Sequence, residues 1–182
     1  DKDVRWIFYL AQSYRDAFEY EKSEQWYQKR IEMGGGYWEE LYYSALMIAV
    51  MKMNQKKPWQ EVIAAYDQCG KYDLNRAEHL IPVMRHHQIN RNYPIAYMYS
   101  SYAYKNLTKN PFPKSTLFID KNVYDWQIYD QHCINAFYMG KLDEGRSCYN
   151  KLRKAINNNL VPKSEHKRIL DNQKWFDKKK HD

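Results

Sequence analysis

Arg91-Asn92-Tyr93-Pro94-Ile95-Ala96 decides the reading of this chain, because its pattern returns three more times. The other copies are Phe18-Glu19-Tyr20-Glu21-Lys22-Ser23, Lys57-Pro58-Trp59-Gln60-Glu61-Val62 and Gly140-Lys141-Leu142-Asp143-Glu144-Gly145. In each, a turn residue stands two positions before a large apolar residue, and a mostly small residue follows three positions later. The last anchors, 23, 62, 96 and 145, lie 39, 34 and 49 residues apart.

The segments that flank these turns carry helical periodicity. Ile7, Leu10, Ala11 and Tyr14 form one stripe, and Trp26, Tyr27, Arg30 and Ile31 continue it after the first turn. Gly34-Gly35-Gly36 ends that helix. Leu41, Ala45 and Ile48 point inward in the next, followed by Val62, Ile63, Tyr66 and Cys69 after Pro58. Arg76-Ala77-Glu78 opens a third pair, and Tyr129, Cys133 and Ala136 begin a fourth. Five extra residues at 54–58 account for the gap of 39. The proline-punctuated loop Asn110-Pro111-Phe112-Pro113, with the apolar Leu117-Phe118-Ile119, accounts for that of 49 and reads as an ordered flap.

A 34-residue period is that of the tetratricopeptide repeat, a helix pair that buries its apolar face only by stacking on neighbours. The sequence therefore predicts an all-α, right-handed tetratricopeptide-like solenoid of about four hairpins plus a C-terminal capping helix. The expected repeats are 4–36, 37–75, 76–108 and 124–157, with a loop insert at 109–123, all within 1–162. Residues 163–182 supply the capping helix and a basic tail.

Composition limits what such a scaffold does. Aromatics make up 16% of the 182 residues, too many for a disordered chain, so the mean hydropathy of −0.91 reflects Lys, Asn, Gln and tyrosine phenols. A net charge of +7, interspersed along helices, permits an acidic partner without requiring one. Cys69, Cys133 and Cys148 lack CxxC spacing, which points to a reducing, cytoplasmic compartment. No apolar run reaches membrane-spanning length. The chain opens on Asp1-Lys2-Asp3 without an initiator Met and reads as a fragment of a longer protein.

Several phrases resemble one family. Arg5-Trp6-Ile7-Phe8-Tyr9-Leu10-Ala11-Gln12-Ser13-Tyr14, then Trp26-Tyr27-Gln28-Lys29-Arg30-Ile31, Lys57-Pro58-Trp59-Gln60-Glu61-Val62-Ile63 and Asn92-Tyr93-Pro94-Ile95-Ala96-Tyr97-Met98 resemble the tetratricopeptide-repeat region of family-2 glycosyltransferases. The resemblance implies a C-terminal, non-catalytic part. Nucleotide sugar and divalent metal would belong to a preceding domain, so no cofactor is expected in this fragment. Asp1-Lys2-Asp3 has the Asp-x-Asp form of a metal-holding motif, but it precedes a helix rather than following a strand.

The residues themselves offer few chemical sites. His79, His86 and His87 share a helical face on paper, and His132-Cys133 with Cys148 could converge; core packing is the simpler reading of both groups. No GxSxG elbow, phosphate-binding glycine loop or HExxH is present. Glu39-Glu40 fits the first turn of a helix. In a solenoid the first helix of each hairpin lines the concave side, which would present Arg5, Phe8, Gln12, Arg15, Tyr42, Arg85, Gln88 and Asp130. That mixed cationic and aromatic groove suits a protein or peptide partner, or a glycan acceptor. The expected function is a non-catalytic module for protein interaction or acceptor positioning. A free-standing adaptor is the alternative, and an RNA- or phosphate-binding repeat is a more distant one.

Overall fold

The computed structural model describes residues 2–108 and 117–177, with side chains from Val4 onward in the first helix. The loop Asn110–Ser115, the Asp1-Lys2-Asp3 side chains and the tail Lys178–Asp182 lie outside the described residues. All regular structure among the described residues is helical: α1 Lys2–Asp16, α2 Tyr20–Met33, α3 Trp38–Asn54, α4 Trp59–Gln68, α5 Leu80–Ile89, α6 Tyr93–Tyr102, α7 Ile128–Tyr138, α8 Leu142–Asn157 and α9 Lys163–Asp171. A wide π-turn, Ala103–Leu107, extends α6, and another, Val123–Gln127, leads into α7.

The recurring motif is a recurring backbone device. Phe18, Arg91 and Gly140 adopt φ of 60°, 57° and 70°, the left-handed region, immediately after a helix. The following amide then bonds five residues back: Glu19 to the Tyr14 carbonyl, Asn92 to His87, Lys141 to Ala136. This is the Schellman stop, which satisfies carbonyls the helix end leaves bare. The next residue carries φ/ψ of −86°/70°, −85°/63° and −85°/61° in the three copies, and its carbonyl accepts from Ser23, Ala96 or Gly145. In the second copy the left-handed residue is Lys56, not Lys57. One extra residue separates the stop from α4, and Pro58, at φ/ψ −51°/138°, supplies the entry instead. A fifth stop, at Asn159, precedes Pro162 and α9 in the same way.

The chain forms two compact units, Asp1–His79 with Ser115–Ile119, and Leu80–Lys114 with Asp120–Asp182. The boundary falls inside the expected third repeat. Arg76-Ala77-Glu78 does not open α5, which starts at Leu80. In the first unit, α1 to α4 pack each on the next. Phe8, Ala11, Tyr27, Ala49, Val62 and Tyr66 are buried in its core. Gly36 brings the chain against α2 and α1, where a Cβ would stand 3.0 Å from Arg30 Nη2 and 3.2 Å from Val4 Cγ1.

In the second unit α5 packs on α6, α6 on α7, α7 on α8, and α9 on α8. Its core joins Trp126, Cys133, Cys148, Tyr149, Leu152, Ile169 and Phe176. The C-terminal helix expected from 163 onward is present as α9, followed by a short 3-10 turn, Asn172–Trp175. It buries Ile169 and Phe176, leaves Leu170 exposed, and stacks Trp175 on Phe137 at 4.5 Å.

Candidate functional site

Burial of polar groups without partners is costly, so their bonds reveal what each cluster is for. In the first unit Arg30 is fully buried. Its Nε donates to Glu40 at 3.0 Å, and its other nitrogens donate to the Gly34, Gly35 and Tyr37 carbonyls. Arg76, also fully buried, forks onto Glu78 through Nε at 3.2 Å and Nη2 at 2.8 Å. The same guanidinium donates to the carbonyls of Leu117 and Phe118, each at 2.9 Å, and lies 4.2 Å from the centre of the Tyr42 ring. Tyr42 donates its hydroxyl to Glu78 at 3.2 Å and stands 3.1 Å from His79 Nδ1. Burial pushes the His79 imidazole down to about 4, against the opposing pull of Glu78. Glu39 accepts the Leu117 amide and the Tyr37 hydroxyl.

The second unit holds a Ser–His–Glu array. His132, fully buried, has Nδ1 3.1 Å from Ser100 Oγ and Nε2 3.1 Å from Glu144 Oε2. Tyr97 donates to the same Glu144 oxygen at 2.8 Å, and the Tyr97 and Tyr104 rings stack on the imidazole at 5.5 and 4.7 Å. The composition is that of a hydrolase triad, but Ser100 is fully buried and donates to its own helix at the Tyr97 carbonyl. A nucleophile must reach its substrate. This array holds helices α6, α7 and α8 together.

The three cysteines are buried and free. Burial raises their thiols, Cys69 and Cys148 each to about 12 and Cys133 higher still, so they pack as small apolar groups. His86 and His87 stack edge-on at 5.4 Å while His79 is bonded to Tyr42, so the three do not converge. Among the described residues no group of three His, Cys, Asp or Glu side chains is placed to hold a metal.

The expected groove residues divide. Arg5 and Arg85 are exposed. Arg15 is half-buried and spends its Nη1 on the Tyr43 hydroxyl at 2.8 Å. Gln12 is half-buried, and Gln88 donates to Asn135 at 3.1 Å. Phe8, Tyr42 and Asp130 correct the expectation: they are 1%, 0% and 2% exposed. Phe8 packs on Tyr27, Tyr43 and Phe118, Tyr42 carries the Arg76 cluster, and Asp130 takes both arms of Arg168 at 3.0 Å. Register alone did not reveal that the flap and α9 cover these positions.

Two open surfaces of the first unit escaped the sequence reading. A cleft of about 420 Å³ lies among α2, α3 and α4, with Ile31, Ala45 and Ile48 in its floor and Gln28, Lys52 and Glu61 on its rim. Lys52 reaches Glu24 at 2.7 Å and Glu61 at 4.0 Å. A second hollow of about 520 Å³ on α1 and α2 is lined by Trp6, Tyr9, Leu10 and Trp26, with no charged side chain among its walls. Trp6 is 70% exposed.

No family model, curated protein or solved structure matches this chain. Its likeness to tetratricopeptide repeats and to glycosyltransferases rests on the quoted residues alone. No helix among the described residues is long and apolar enough to cross a membrane.

Proposed function

We propose that this chain is a non-catalytic helical-repeat module for protein interaction or acceptor positioning, and that it forms the C-terminal part of a glycosyltransferase. One observation carries the binding reading. The α2–α4 cleft is open, with an apolar floor and a rim of amides and charges, while the buried His, Ser and Cys groups are spent inside the structure. The uncharged aromatic hollow beside Trp6 adds ring faces on which a sugar could lie. Arg15, Arg76 and Lys151 are engaged with Tyr43, Tyr42 and the Tyr104 and Tyr129 rings, which argues against a nucleic-acid surface built from them.

The test has two arms. Methyl-labelled alanine spectra, titrated with oligosaccharides and with peptides, should shift at Ala45 and Ala65; no shift with either removes the binding reading. The chain incubated with UDP-glucose should release no nucleoside diphosphate, and turnover would overturn the non-catalytic assignment. A strand-rich reading frame upstream of Asp1 with an internal Asp-x-Asp is the expected outcome for the glycosyltransferase relation. A frame starting close to Asp1 favours the adaptor.

A further inference from the structure

The flap segment Leu117-Phe118-Ile119 meets the α1 and α3 side of the first unit much as a bound peptide meets a receptor. Its backbone is read at three polar points: Glu39 accepts the Leu117 amide, and Arg76 donates to the Leu117 and Phe118 carbonyls at 2.9 Å each. Its aromatic side chain is read as well. The Phe118 ring stacks on Tyr43 at 4.1 Å and lies 5.8 Å from Phe8. With the segment seated, the groups that read it are buried and held by other partners as well. Arg76 is fully buried, pinned by Glu78 and Tyr42; Glu39 is 2% exposed and sits in the first turn of α3. A buried guanidinium and a buried carboxylate facing one stretch of main chain match the alternation of carbonyls and amides that every peptide offers. Phe118 itself remains 41% exposed, held at one face.

We propose that this α1–α3 surface is a peptide-binding site, that its ligand in trans is a protein segment carrying an aliphatic–aromatic step, and that Leu117-Phe118 occupies it in cis as an autoinhibitory plug. The site differs from the α2–α4 cleft, so either can fail without the other. A tethered plug competes at an effective concentration set by its own short linkers, commonly in the millimolar range. The free site is therefore masked in the intact chain, and partner binding requires displacement of the plug. Phe118 holds φ at +55°, a conformation that release would relax.

The experiment uses the full chain and an acetyl-Leu-Phe-Ile-Asp peptide with a C-terminal fluorophore, followed by anisotropy. Phe118→Ala should bind it at least tenfold more tightly than the wild type. Adding Tyr43→Ala should reverse that gain, and an order-swapped Phe-Leu-Ile-Asp peptide should bind about tenfold more weakly. Equal affinity of wild type and Phe118→Ala, or indifference to peptide order, overturns the proposal. A wild-type mass that rises to a dimer with concentration also overturns it, since the site would then belong to a second copy's flap. Should Phe118→Ala lose its helical circular dichroism, hydrogen exchange of the wild-type Leu117 amide decides. Faster exchange with excess unlabelled peptide supports displacement; an unchanged rate refutes it.

Discussion

The two units solve the same problem, polar groups inside a helical core, with different chemistry. The first buries full charges: Arg30 with Glu40 and Arg76 with Glu78, all four under 8% exposed. The second unit sets His132 between the neutral Ser100 and the partly exposed Glu144, and Asn135 donates to the Ala96 carbonyl; its Asp130–Arg168 pair keeps the arginine side chain 43% exposed. The difference follows from what must be satisfied. The first unit binds irregular chain at 34–37 and 117–118 along its surface, and the carbonyls of Gly34, Gly35, Tyr37, Leu117 and Phe118 take their donors from the buried arginines. One guanidinium offers five donors in a fixed plane and serves two or three of them at once. In the second unit the polar groups mainly join helices whose main chain is already paired, and single amides or an imidazole suffice.

The largest expected effect comes from breaking the charged solution. Arg76→Ala leaves Glu78 buried without its cation and frees two carbonyls, and should cost about 3–5 kcal/mol by chemical denaturation. A loss near 1 kcal/mol would mean the first unit does not depend on its buried charge. Acid probes both units together. Burial holds His79 down at about 4 and lowers His132, so below the ordinary imidazole value near 6.5 the unfolded chain binds more protons than the folded one. Stability should therefore fall as pH drops from about 6.5 toward 4, by at most about 3 kcal/mol from His79. His79→Gln should flatten that part of the melting-temperature profile, and an unchanged slope would assign it to other groups.

A smaller effect is confined to the second unit. At Gly145 an added Cβ would stand 2.8 Å from Phe176 Cε1 and 3.0 Å from Cζ. Gly145→Ala should cost about 1–3 kcal/mol by crowding, despite better helix propensity. Tryptophan fluorescence of Trp175 would report the displaced segment, and a more stable variant would show that Phe176 moves freely. Smallest is Arg91→Gly, expected to stabilise by about 0.5–1 kcal/mol because arginine sits at φ +57°. A destabilised variant would show that the Arg91 side chain contributes more than its backbone strain costs.

How much was legible follows the same division. The helices were readable, since their apolar spacing and turn residues are local: α2, α3 and α9 start or end within a residue or so of the expected points. The C-terminal helix α9 was legible for that reason too. The charged cores were not. Arg30 read as part of an apolar stripe, Glu39-Glu40 as a helix start, and Arg76-Ala77-Glu78 as a helix opening: helical periodicity does not show which charges fold inward, and the main-chain partners of Arg76 and Glu39 at Leu117 come from 41 and 78 residues away. The flap was the one hint: an aliphatic–aromatic triplet in a proline loop needs a surface to cover. Phe8 and Tyr42 were misplaced because helical register gives a direction but not whether another segment comes to lie there.

The five hairpin stops accept unlike side chains. Phe, Lys, Arg, Gly and Asn all occupy the same left-handed seat, and the bonds that close it run between main-chain atoms. Mutational drift at these corners leaves the reversal standing, so spelling can diverge at the bends long before the path of the backbone does.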